Sequence, residues 1–80
     1  MKSTIYNQLS SLTNSYFEIG SQYFLEELIE YHLNIDPKKL KATELISVLD
    51  WIEVAAYLLI DDHKATRAYM TKVRSIAGVG

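Results

Sequence analysis

Between Glu44 and Asp61 the chain places an apolar side chain on almost every side of a helix. Leu45, Val48, Leu49, Ile52, Ala55, Ala56 and Leu59 recur at spacings that form one seam. Ile46, Trp51, Val54, Leu58 and Ile60 carry apolar surface onto the flanks. Only Glu44, Ser47, Asp50 and Glu53 remain as a polar strip, extended by Tyr57 and Asp61. A helix at a water-facing surface shows an apolar stripe and a polar face of comparable width. This one asks for cover on most of its sides. A membrane is not what covers it: the longest apolar run, Val54 to Ile60, is about a third of a membrane span.

The rest of the chain has little to spare for that task. With 80 residues it holds one core, which at this size contributes only a few kcal/mol of net stability. There is no cysteine, so neither a disulfide framework nor a thiolate metal site can staple it. Self-association is the staple that remains. Hydrophobic residues make up 49% and charged residues 22%, which is globular and not disordered composition.

One proline and three glycines leave few breakers, and no Val/Ile/Thr alternation between turns supports a sheet. The expected architecture is a single all-α domain over residues 1–80. It is a bundle of about four helices, near 3–19, 21–34, 43–60 and 62–77, with a short turn at 36–41. In the first helix Ile5, Leu9, Leu12, Tyr16, Ile19 and Tyr23 follow one face, after an N-cap at Ser3 or Thr4. Where it stops is open. Gly20 can end it with Ser21 starting the next helix. Alternatively Ser15-Tyr16-Phe17-Glu18 reads as a capping box, or the polar run from Ser10 to Ser15 breaks the helix. The second helix turns Phe24, Leu25, Leu28, Ile29 and His32 inward and Glu26, Glu27 and Glu30 to water. Asp36 caps a turn whose first position suits Pro37, because that N–H has no helical partner anyway. Asp62 caps the last helix, Ala65, Tyr69, Val73 and Ile76 face inward, and Gly78 stops it.

Chemistry is sparse. No nucleophile elbow, phosphate-binding loop or dinucleotide fingerprint occurs. Asp61-Asp62-His63 has ligand-type side chains, but adjacent residues on a turn rarely aim at one ion, and capping explains the aspartates. His32 reads as a boundary residue of the core. No enzyme, metal or cofactor is expected, and no small-molecule substrate is identified. A start without a continuous apolar leader points to a cytoplasmic protein.

Residues 1–36 carry one lysine against five acidic groups, and residues 37–80 carry seven Lys/Arg against five. Acidic and basic helices facing each other account for that split. The basic side of the last helix, Lys64, Arg67, Lys72 and Arg74, also fits a small helix-turn-helix DNA-binding protein. Asp61 and Asp62 oppose this, since they sit at the end that meets phosphate. A third class is a sensor with a Tyr/Phe-lined pocket.

The run Leu33-Asn34-Ile35-Asp36-Pro37-Lys38-Lys39-Leu40, followed by Glu44-Leu45 and Leu49-Asp50-Trp51-Ile52, resembles small helical modules attached to prokaryotic signal-transduction proteins. The likeness spans residues 20–77. It implies a regulatory or interaction role, with no catalytic residues to carry over. The expected function is therefore a non-enzymatic interaction module, either a homodimer or docked to another protein. Leu45, Val48, Trp51, Ile52 and Leu59 supply the apolar contact, with Tyr16 and Tyr23 from the first two helices. Tryptophan and tyrosine are favoured interface anchors.

Overall fold

The computed structural model describes residues 4–17 and 21–79. Five α-helices and one 3-10 turn make up its regular structure among those residues. They are α1 (Thr4–Tyr16), α2 (Ser21–Leu33), the 3-10 turn Pro37–Lys39, α3 (Ala42–Ser47), α4 (Leu49–Leu59) and α5 (His63–Ala77). The all-α expectation holds, with five helices in place of four.

The extra helix comes from a break at Val48, where a single helix over 43–60 was expected. Ser47 donates its hydroxyl to the Glu44 carbonyl, and the Val48 N–H bonds back to Leu45 at 3.1 Å. Val48 itself lies at φ −112°, ψ 8°, outside the helical region. The apolar pattern runs through the break because Leu45, Val48 and Ile52 are all fully buried on either side of it.

α1 is continuous, which removes both alternative breaks. Ser15 is inside the helix and donates its hydroxyl to the Ser11 carbonyl at 3.1 Å, so it caps nothing. The inner face is Tyr6, Leu9 and Thr13, with Ile5, Leu12 and Tyr16 on the margins. Ser3, Ile19 and Gly20, invoked above as cap, seam and stop, lie outside the described residues. α2 ends where Asn34 takes φ +54°, a left-handed position that asparagine tolerates better than most residues. Asp36 accepts from the Lys38 N–H at 3.0 Å and Pro37 is buried behind it, as the sequence suggests.

The hub is α5, not the more apolar stretch before it. α5 packs against α1, α3 and α4, and buries Thr66, Tyr69, Met70, Val73 and Ala77. Its ends are well defined. Asp62 accepts from the Lys64 N–H at 2.9 Å. Gly78 at φ +83° then turns the chain so that its own N–H and that of Val79 reach the Ser75 and Arg74 carbonyls. One buried polar contact ties the outermost partners together. Thr13 Oγ1 donates to the Leu9 carbonyl at 2.7 Å and lies 2.9 Å from the Tyr69 hydroxyl. The threonine proton is already placed, so the phenol donates to it. Burial pushes the Tyr69 phenol up to about 12.

Candidate interaction surface

α4 shows two faces. Ile52, Ala56 and Ile60 recur every four residues and point into the core. Trp51, Val54 and Leu58 lie on another side and are 53%, 55% and 79% exposed. Burial is worth about 25 cal/mol per Å² of apolar surface, so three such side chains left in water forgo several kcal/mol. Tyr31 on α2 is also strongly exposed.

These residues border one groove. Phe24, Leu28 and Tyr31 from α2 and Trp51, Ala55 and Leu58 from α4 are among its lining, and its volume is about 480 Å³. It is open to solvent along its mouth, unlike an enclosed ligand cavity. His32, at the end of α2, stacks on Trp51 with ring centres 4.5 Å apart and planes 19° from parallel. Tyr31 meets the edge of His32 at 5.0 Å. This stack holds the tryptophan against α2 while leaving about half of it wet. The groove is also connected to the core. Phe24 stacks on Phe17 at 5.3 Å, and Phe17 meets Tyr69 edge-on at 5.2 Å. Aromatic pairs of this geometry contribute about 0.5–1.5 kcal/mol beyond area burial.

The seven expected interface residues do not share one surface. Leu45, Val48 and Ile52 are interior and belong to the chain's own core. The reason is α5, which covers the seam they form. Trp51, Leu59 and Tyr23 are exposed, and Tyr16 is half-buried against Tyr69 at 5.5 Å. Leu59, expected on the inward seam, is exposed because the buried stripe runs through Ile52, Ala56 and Ile60 and Leu59 falls off it. Of the seven, Trp51 alone lines the groove. The residues that join it there are Val54, Ala55 and Leu58, a second stripe at spacings of three and four from Trp51. That stripe is visible in the sequence once the Ile52–Ala56–Ile60 stripe is set aside.

The four basic residues of the alternative reading are also dispersed. Lys72 donates to the Tyr16 hydroxyl at 3.0 Å and lies over that ring. Arg74 pairs with Glu53 at 3.4 Å, a long, half-exposed contact of little energetic weight. Lys64 and Arg67 are exposed. Lys72 thus serves the α1 side of α5 and Arg74 the α4 side, and no single basic stripe results. Both members of the Arg74–Glu53 pair lie within residues 37–80, so it is not a pairing between the acidic and basic halves of the chain. Glu26, expected in water, is half-buried and accepts from the Tyr6 hydroxyl at 3.1 Å. Burial, followed by the Glu26 carboxylate, pushes that phenol up to about 12.

Among the described residues no group of three His, Asp or Glu side chains could hold a metal ion, and no helix is long and apolar enough to cross a membrane. Compared with protein-family models, with curated proteins and with solved structures, the chain matches none.

Proposed function

We propose that the chain is a non-enzymatic interaction module that buries the α2–α4 groove against another protein surface. The observation that carries this is the contiguous exposure of Trp51, Val54, Leu58 and Tyr31 around one groove. Small domains seldom leave such a set wet without using it. Trp51 is the natural anchor: large, half-exposed and held in place by His32, so little side-chain freedom is lost when a partner arrives. The aromatic link from Phe24 through Phe17 to Tyr69 gives the floor a rigid backing. The bound surface is either a second copy of the chain or a different protein, and the role is regulatory, with no step of chemistry assigned.

The test places a photo-crosslinking residue at Val54, with Arg67 as the control position, in cells that make the protein. Adducts at position 54 that disappear with Leu58→Asp, and that position 67 lacks, support the module. An adduct of twice the chain's mass identifies a second copy. Adducts that are equal at both positions, or indifferent to Leu58→Asp, refute it.

A further inference from the structure

The two helices that wall the groove carry charge of one sign. α2 contains Glu26, Glu27 and Glu30, and α4 contains Asp50 and Glu53. Neither contains a lysine or an arginine. Glu26 is engaged by Tyr6 and Glu53 by Arg74, so both have internal partners. Glu27 lines the groove itself and Asp50 is exposed on α4, whereas Glu30 borders a separate cleft beside Asp36 and Lys38. An apolar floor with carboxylates beside it is complementary to an apolar stripe flanked by cations.

We infer that the groove's occupant is an amphipathic helix of another protein, apolar along one stripe and bearing Lys or Arg beside it. This rests on the docking reading above and names the partner's chemistry. The dimensions suit a helix. The 11 residues of α4 make a wall about 16 Å long, which faces about three turns of a partner. Recognition through anchors three and four residues apart is the ordinary way for such a helix to enter a groove. A second copy fits less well. A symmetric dimer sets a patch against itself, so the acidic rim of Glu27 and Asp50 would face its own copy. The outer side of α5 offers the groove only Lys64 and Arg67 and no large apolar stripe to fill it, because Tyr69, Met70 and Val73 are buried. Like charges across an interface disfavour the wrong partner, and opposite charges at a rim mainly speed association.

The experiment titrates the chain with two helical peptides that share one leucine stripe and contain no tryptophan. One carries lysines beside the stripe and the other glutamates. Trp51 is the chain's only tryptophan, so its fluorescence reports occupancy directly. The lysine peptide is expected to bind at least about tenfold more tightly at low salt, with the difference shrinking as salt rises. Glu27→Lys, checked for an unchanged helical spectrum, is expected to narrow or reverse that preference. Equal binding of both peptides, or preference for the glutamate peptide, overturns the charge assignment and leaves the docking surface standing. Binding of neither, with position 54 crosslinking only to a second copy, overturns the helical partner. Binding that persists unchanged in Leu58→Asp overturns the groove as the place of docking.

Discussion

The buried contact between α1 and α5 gives a sharp forecast. Replacing Thr13 by valine keeps the shape and removes the hydroxyl that accepts the Tyr69 proton. Tyr69 is fully buried, so its O–H is left without an acceptor or water. An orphaned buried donor costs about 1–3 kcal/mol. Replacing Tyr69 by phenylalanine acts differently. Thr13 still donates to the Leu9 carbonyl at 2.7 Å, so only a net hydrogen bond of about 0.5–1.5 kcal/mol is lost. The double variant has no orphan at all. It should therefore be more stable than Thr13→Val alone, with a coupling of about 1 kcal/mol between the two sites. Urea unfolding followed by helical circular dichroism measures this. With a slope near 1 kcal/mol per molar for a small domain, the midpoints separate by up to about 1 M. Strictly additive losses, or a double variant weaker than Thr13→Val, would refute the assignment of the Tyr69 proton to Thr13.

Three further outcomes follow from the same packing. Tyr69 ionises near 10 when unfolded and near 12 in the fold, so the stability it supplies is complete below about pH 10 and drains as pH rises toward about 12, by at most about 1.4 kcal/mol per unit; alkaline unfolding curves should flatten in Tyr69→Phe, and an identical pH profile would count against burial as the cause. Gly78→Ala should lower the melting temperature by several degrees, because φ +83° costs an L-residue about 1–2 kcal/mol, while the new Cβ meets nothing within 4 Å; an unchanged melting temperature would contradict the left-handed cap. Ile52→Ala should cost about 2–5 kcal/mol and Leu58→Ala less than about 0.5 kcal/mol, although both lie on α4; equal losses in thermal or urea melts would mean that Leu58 is part of the monomer's core.

How much of this the sequence discloses varies with the kind of signal. α5 is nearly complete in it, since Asp62 and Gly78 mark the ends by local chemistry. The Asp36–Pro37 turn is legible for the same reason. The break at Val48 is not, because the apolar pattern continues through it. Thr13 is also hidden: a polar residue in a polar run becomes core only when a tyrosine 56 positions away supplies its partner. The α4 surface was half legible. An apolar circumference shows that cover is needed, but not which side α5 takes. Once α5 occupies the seam of Leu45, Val48 and Ile52, the uncovered side has to be the stripe of Trp51, Val54 and Leu58.

The position of α5 in the chain has a consequence for synthesis. A polypeptide is made from its N-terminus, and the helix on which α1, α3 and α4 pack is the last of the described elements to leave the ribosome. Until then Leu9, Leu45 and Ile52 have no α5 to close over them. At about 5–20 residues per second, the 15 residues of α5 take about one to three seconds to add. Until α5 has emerged, Leu9, Leu45 and Ile52 cannot be buried against it, and the α2–α4 groove has no formed core behind it.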